Sequence, residues 1–123
     1  MMRTAILKQL AKISNRPVYQ AFMAPNNVKS PYFTVKMGTE ASDVTVRNAY
    51  DRYIEIWPYA KPDNFEILDQ MFVEAYKALH QTDIQTEEGI FSLTYVNKGE
   101  DYLDTDLKLI TNGPIEFEFN LIR

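Results

Sequence analysis

The only histidine, His80, is the first residue whose side chain suits acid–base catalysis. General-base and nucleophilic mechanisms need such a histidine beside a serine or a carboxylate, a neighbour that the sequence alone does not reveal. His80 falls instead at the end of a predicted helix, where an imidazole interacts favourably with the helix dipole. We therefore interpret His80 as a C-terminal helix cap and not as a catalytic residue.

A run of acidic residues is the second candidate for chemistry. Asp101, Asp104 and Asp106 carry the oxygen ligands that calcium prefers. Their spacing, however, lacks the glycine-centred loop and the closing glutamate of an EF-hand. The segment is more typical of a solvated acidic loop, and we predict no metal site there.

The remaining chemical groups are few. Glu116 and Glu118 share one face of a predicted terminal strand and could form a carboxylate pair, although such glutamates more often keep an exposed face or edge soluble. The 4 glycines cannot assemble a phosphate-binding loop or a dinucleotide fingerprint. The absence of cysteine excludes a thiol nucleophile, a thiolate metal site and a disulfide. We predict that the protein is not an enzyme and uses no cofactor.

The charges are unevenly distributed along the chain. Residues 1–61 hold 9 basic and 4 acidic side chains, whereas residues 62–123 hold 4 basic and 13 acidic ones. Such asymmetry is compatible with two unlike faces and head-to-tail self-association, and it argues against a general nucleic-acid binder. The alternative is that an interleaved sheet mixes the two halves in space. The N-terminal segment carries lysines among its apolar residues, so we expect no signal peptide or membrane helix and an intracellular origin.

The elements that position these residues follow from apolar periodicity. A length of 123 residues fits one domain, residues 1–123. Helical spacing predicts helices at 3–13 and 65–80, the second with a capping box formed by Asp63 and Glu66. Alternation and turn residues predict strands, of which 107–111 is the weakest. The predicted strands are 18–23, 32–37, 50–57, 90–96, 107–111 and 115–121.

This order of elements predicts the fold class. We expect an α+β domain with an antiparallel or mixed sheet of about five strands and two helices packed on one face. The other face of the sheet would meet water or a partner. Pro58 is expected to close the third strand, at whose end Tyr53, Trp57 and Tyr59 cluster, either as core residues or as an interface.

Four segments of the chain carry a resemblance to a known family. Arg16-Pro17-Val18-Tyr19 enters a strand after an amphipathic helix, and Ser30-Pro31-Tyr32-Phe33-Thr34-Val35 precedes Gly38. Tyr53-Ile54-Glu55-Ile56-Trp57 stands before the second helix, and residues 115–122 form a closing strand. In order and spacing, over nearly the full chain, this pattern resembles the tail terminator proteins of long-tailed bacteriophages and prophages, also called tail completion or tail-to-head joining proteins.

The resemblance implies a structural function. Proteins of this family are small α+β subunits that form a hexameric ring, which caps the tail tube, stops its polymerisation and joins the tail to the head. The implied partners are further copies of the chain, the tail tube protein and a head–tail connector protein, with no membrane. DNA would pass through the ring without specific binding. The implied location is the head–tail junction of the virion, and the host cytoplasm during assembly.

The resemblance also directs attention to two sets of residues. The polar loop 39–48 would contact the tail tube or a neighbouring subunit, because a mobile loop can become ordered on assembly. Acidic side chains would face the channel, where they repel phosphates. The expected interface residues are Tyr53, Trp57, Tyr59, Glu40, Asp43 and Arg47. The expected channel residues are Glu100, Asp101, Asp104 and Asp106.

Two other interpretations stay open. The chain could be another head–tail connector or a head-completion protein, which would share the same partners. It could also be a monomeric binding module such as an inhibitor, which its small size and net charge of −4 fit as well.

Overall fold

The computed structural model describes residues 2–20, 31–37, 52–86 and 89–121. Helix α1 spans Met2–Ser14 and helix α2 spans Phe65–Leu79. The strands of this part of the chain are β1 (Val18–Gln20), β2 (Tyr32–Met37), β3 (Arg52–Tyr59), β4 (Thr82–Thr86), β5 (Gly89–Lys98), β6 (Tyr102–Asp104), β7 (Leu109–Thr111) and β8 (Ile115–Leu121). The predicted α+β class is confirmed.

Six strands form one mixed sheet in the order β1-β2-β3-β8-β5-β4. Only the β1–β2 pair in this sheet is parallel, and the other pairs are antiparallel. Strands β6 and β7 form a separate antiparallel hairpin, which joins the end of β3 through a bridge between Ala60 and Ile110. Strands β4 and β6 add to the set that the sequence predicts.

The strand order keeps the two halves of the chain apart. Strands β1, β2 and β3 come from the first half and lie side by side, while β8, β5 and β4 come from the second half. The described strands of the sheet are therefore not interleaved, but the two halves still meet in space, because α1 contacts β4 and the β6–β7 hairpin joins the end of β3.

The core fills the space between one face of the sheet and both helices. Helix α1 contacts β1 and β2 at one edge of the sheet and β4 at the other, so the sheet curls around it. Burial of this apolar surface is the main driving force for the fold. The fully buried large side chains are Ile6, Leu10, Phe33, Ile54, Ile56, Leu68, Met71, Leu79, Leu93, Ile115, Phe117 and Phe119.

The buried stripe of α2 differs in part from the predicted one. Helical spacing predicts an apolar stripe of Phe65, Leu68, Phe72, Tyr76 and Leu79 that packs on the sheet, but Phe65 is 47% exposed and Tyr76 is 37% exposed. The buried row steps by three or four residues through Met71, Ala75 and Ala78, because small residues let the helix approach α1 and the sheet closely. Phe65 and Tyr76 lie beside this row.

Two predicted boundaries are wrong. The N-cap of α2 is Asn64, whose Oδ1 accepts a hydrogen bond from the Ile67 amide at 3.3 Å, and not Asp63. Strand β3 continues through Pro58 to Tyr59. Pro58 lies opposite Phe33, whose amide points away to the Pro17 carbonyl, and the β8 pairing ends before it. The missing proline N–H is therefore not needed there.

Side-chain bonds also connect the first helix to the second. The Arg16 guanidinium donates two hydrogen bonds to the Glu74 carboxylate, at 2.7 and 3.0 Å. Nε2 of Gln9 donates to the Ala78 carbonyl at 3.3 Å.

Neither described helix is long and apolar enough to cross a membrane. The predicted loop 39–48 lies outside the described residues.

We predict that Leu10→Ala destabilises the fold by about 2–5 kcal/mol, because it removes a fully buried side chain and leaves a cavity beneath α1. Ile13→Ala on the same helix is the matched control. That side chain is 46% exposed, so its loss should change the free energy of unfolding by less than about 1 kcal/mol. Urea unfolding measures both, and equal losses would show that α1 is not packed as described.

Candidate functional site

The face of the sheet opposite the helices is the first candidate for a functional surface. Burial alternates along β3, where Ile54 and Ile56 face the core while Tyr53, Glu55 and Trp57 are half-buried on the other side. Successive residues of a strand point to opposite faces, so these three share one surface. We call this surface, with the residues paired to it on β2 and β8, the outer face.

Charged residues form a row across the outer face. Glu55 lies opposite Lys36 of β2 and opposite Glu116 of β8. Like charges directly opposite one another are destabilising, and each carboxylate here receives a neutral donor. Nε1 of Trp57 donates to Glu55 at 3.1 Å, and Nδ2 of Asn97 donates to Glu116 at 3.5 Å. Strand β8 is central, so of the two positions that the sequence left open for Glu116, a face or an edge of the sheet, the structure shows a face.

Trp57 is held in place by the backbone of Gly113. A Cβ at position 113 would lie 2.6 Å from Cε3 of Trp57, closer than side chains approach one another. Only glycine lets the indole pack this near to the chain. Trp57 therefore combines a packed inner edge with a partly exposed surface, and its role at an interface stays a prediction.

Three tyrosines from distant parts of the chain meet beside this surface. The rings of Tyr32 and Tyr59 stack with their centroids 5.2 Å apart, and the edge of Tyr19 meets Tyr32 at 6.0 Å. Register explains the contact, because Tyr32 pairs directly with Tyr59 between β2 and β3. We call these three residues the tyrosine cluster.

Burial and neighbouring charge raise the pKa of two members of the cluster, Tyr32 and Tyr59. Burial raises the pKa of Tyr59 to about 12, with further contributions from Tyr32 and Asp104, while a hydrogen bond with Thr34 acts in the opposite direction. Burial also raises the pKa of Tyr32, and the Asp104 carboxylate adds to that rise. Tyr32 and Tyr59 are therefore neutral at any physiological pH.

Asp104 links the β6–β7 hairpin to the tyrosine cluster. Its Oδ1 accepts hydrogen bonds from the amides of Asp106 and Leu107, both at 3.0 Å, and so fixes the turn between the two strands. The charge of Asp104 also raises the pKa of Tyr102 on the hairpin, where burial is the larger cause. The acidic segment is thus a structured hairpin and not a loop.

The structure separates the predicted site residues into three groups. Tyr53 and Trp57 lie on the outer face, and Tyr59 belongs to the tyrosine cluster. On the hairpin, Glu100, Asp101 and Asp106 are exposed, while Asp104 is half-buried. The third group lies outside the described residues and consists of Glu40, Asp43 and Arg47.

His80 occupies the predicted position at the end of α2. It is the C-cap residue, and its amide donates to the Tyr76 carbonyl at 2.8 Å, so the prediction of a cap is confirmed. Nδ1 of its ring accepts a hydrogen bond from the Tyr95 amide at 3.0 Å, and the ring stacks on Tyr76 with centroids 4.5 Å apart. The imidazole therefore connects the helix end to β5.

A groove between α1 and β4 was not anticipated. It has a volume of about 320 Å³ and is lined by Lys8 and Lys12 of α1 and by Ile84 of β4, among others. The hairpin residues Leu103 and Leu107 were also missed as surface features, although each is about half exposed. The available signal was the placement of leucines within an acidic run, which is unusual for a merely solvated loop.

Across the described ranges, no group of three or more histidine, cysteine or acidic side chains is arranged to hold a metal ion. The fold and its surfaces define a small α+β domain whose distinctive features are aromatic contacts and fixed charges. No family model, curated protein or solved structure matches this chain. The surfaces themselves therefore carry the functional argument.

We predict that the stability of the protein falls as the pH rises from 10 to about 12, because the folded state retains the Tyr59 proton that the unfolded chain releases. The stabilisation is complete below pH 10 and is lost towards the folded pKa. The loss should reach about 1–2 kcal/mol, given that Tyr59 is only partly shielded from solvent.

Tyr59→Phe is the matched variant, since it keeps the ring and removes the ionisable group. Urea unfolding across this pH range should show a smaller fall for the variant than for the wild type. An equal fall in both proteins would contradict the role of Tyr59.

Proposed function

We propose that this chain is a structural subunit of a long-tailed bacteriophage or prophage, a tail terminator that forms a ring on the end of the tail tube. The ring stops polymerisation of the tube and joins the tail to a head–tail connector protein. In this proposal the subunit is not an enzyme, and it acts at the head–tail junction of the virion after assembly in the host cytoplasm.

One observation carries the proposal: two unlike surfaces lie at opposite ends of α2. The acidic hairpin meets the N-terminal end, where Ile110 packs with Ala60 and Leu68. The lysine-lined groove meets the C-terminal end, where Gln9 bonds to Ala78. The 15 residues of α2 separate the two ends by about 20 Å.

Unlike surfaces favour a closed ring over a symmetric dimer. In a two-fold dimer residue i contacts residue j and j contacts i, so an acidic and a basic patch can pair there only when both lie on one self-complementary face, and patches at opposite ends of α2 do not favour that arrangement. A contact between two different patches repeats from subunit to subunit and closes into a ring when the rotation between neighbours allows it. The resemblance in sequence order supports the same geometry, with a ring of six.

The charge of the protein suits a ring through which DNA passes. The net charge is −4, and the second half of the chain, which supplies the hairpin, holds 13 of the 17 acidic residues. Such a surface repels phosphates and therefore disfavours specific or lasting contact with DNA. A head-completion protein or another connector would use similar surfaces, and position in the virion separates these alternatives.

We predict that the purified chain forms rings of about six subunits with a central hole, and that these rings bind the ends of tail tubes. Light scattering over a wide concentration range gives the mass, and negative-stain imaging with purified tubes gives the position. Rings at tube ends that halt further growth of the tube are the expected result.

Two results would contradict the proposal. A chain that stays monomeric at high concentration and also fails to bind tubes would favour a monomeric binding module. Rings that bind the portal end of a filled head, and leave tubes uncapped, would favour a head-completion protein.

A further inference from the structure

The β6–β7 hairpin presents apolar side chains to solvent. Tyr102, Leu103 and Leu107 are 44%, 51% and 46% exposed, respectively. Isolated exposed leucines are common on protein surfaces, but this short hairpin exposes three large apolar side chains, of which Tyr102 and Leu103 point to opposite faces as successive residues of β6. They are flanked by Glu100, Asp101, Asp104 and Asp106, against the single basic residue Lys108.

The hairpin is held in a fixed conformation before any partner binds. Its turn is fixed by the hydrogen bonds that the Asp106 and Leu107 amides donate to the Asp104 side chain. The Lys108 amide donates a further hydrogen bond to the Asp104 carbonyl at 2.7 Å. Its base is joined to the sheet by the paired bonds between Ala60 and Ile110, at 2.9 and 3.1 Å. A preorganised element loses little conformational entropy on binding.

The groove between α1 and β4 has the complementary character. Lys8 and Lys12 are exposed along one wall, half-buried Ala5 supplies apolar surface between the walls, and Ile84, which is 6% exposed, forms the floor. Asp83 is the one acidic residue of the lining, so the groove has a net positive charge. Among the described residues, no carboxylate forms an ion pair with either lysine.

We propose that the hairpin of one subunit, residues 100–108, docks into the α1–β4 groove of a second copy of this chain. Leu103 and Leu107 enter the groove over Ala5 and Ile84, and Glu100 and Asp101 face Lys8 and Lys12. The hairpin and groove of a single chain lie at opposite ends of α2, so the contact forms only between copies.

This contact would be the interface between neighbouring subunits of the ring proposed above, and its biological setting rests on that proposal. The apolar side chains act as the buried anchor and the charged pairs as a rim that sets orientation. A stable contact buries on the order of 1,000 Å² or more, so neighbouring surfaces of the two helices complete it. In the proposed contact, Glu100 and Asp101 pair with lysines of the neighbouring subunit. The resemblance alone implies that they face the channel.

Cysteine cross-linking tests the contact directly, because the chain has no cysteine of its own. A Leu107→Cys copy mixed with a Gln85→Cys copy should form a disulfide-linked pair at least about tenfold faster than either copy alone, because docking raises the effective concentration of the two thiols. A chain carrying both substitutions should give a ladder of linked species that ends at the ring size.

Val96→Cys is the matched control for the hairpin position. Val96 is 47% exposed, nearly the same as Leu107, but it lies on β5 outside the hairpin. Mixed with the Gln85→Cys copy, it should cross-link at the rate of random collision. Equal rates for the hairpin and control positions, up to about millimolar protein, would overturn the contact.

Charge exchange gives an independent test. A copy with Lys8→Glu and Lys12→Glu and a copy with Glu100→Lys and Asp101→Lys should each fail to associate, since each sets like charges in the contact. Mixing the two copies should restore association, because every hairpin then meets a groove of opposite charge. If Glu100 and Asp101 faced the channel instead, mixing the two copies would not restore association. Association of either copy alone would also overturn the contact.

The failure of this contact and the failure of the proposed function are distinguishable. Specific cross-links in an assembly that ignores tail tubes would keep the contact and reject the tail terminator. Rings that cap tubes while the thiols stay unlinked and the charge changes have no effect would keep the function and reject the contact.

Discussion

The burial of one apolar sheet face beneath two helices is the constraint on which the rest of the structure depends. Leu10 of α1 and Met71 of α2 both belong to the cluster that includes Phe33, Leu93 and Phe117. The last strand, β8, lies between β3 and β5, so it connects the two halves of the sheet. Neither half can bury its apolar surface without the other, and the described part of the chain should therefore unfold as one unit.

The same constraint decides which surfaces of the protein are available for function. Because the inner face of the sheet and the buried rows of both helices are committed to the core, the functional surfaces are what remains: the outer face, the hairpin and the groove beside α1. The strand order leaves the first half of the chain on one side of the sheet and the second half on the other. The charged surfaces nevertheless cross this division, because Lys8 and Lys12 of the first half lie beside β4 and the acidic hairpin of the second half joins the end of β3.

The sequence predicts the elements whose apolar periodicity is strong. Strand β2 and helix α2 lie where alternation and helical spacing place them, and β8 repeats its pattern over seven residues. Strand β4 was missed because Thr82–Thr86 contains one apolar residue, Ile84, and relies on pairing with β5. The short strands of the hairpin give too few residues for any period to emerge.

The candidate surfaces were harder to predict than the fold, for a physical reason. The tyrosine cluster joins residues 19, 32 and 59, which only strand register brings together. The groove depends on the packing of α1 against an edge strand that the sequence does not reveal. The sequence indicated that the charges are separated along the chain, but where these side chains lie in space depends on the order of the strands.

Asp104 shows how the fold and the proposed surface depend on each other. Its carboxylate fixes the hairpin turn, and its charge acts on Tyr32 and Tyr59 at the end of the sheet. The orientation of the hairpin is therefore set by the same strand pairing that stacks the tyrosines. A surface built in this way is rigid relative to the sheet, and rigidity is what a repeated contact needs, since a ring closes only when every subunit presents its two patches at the same angle.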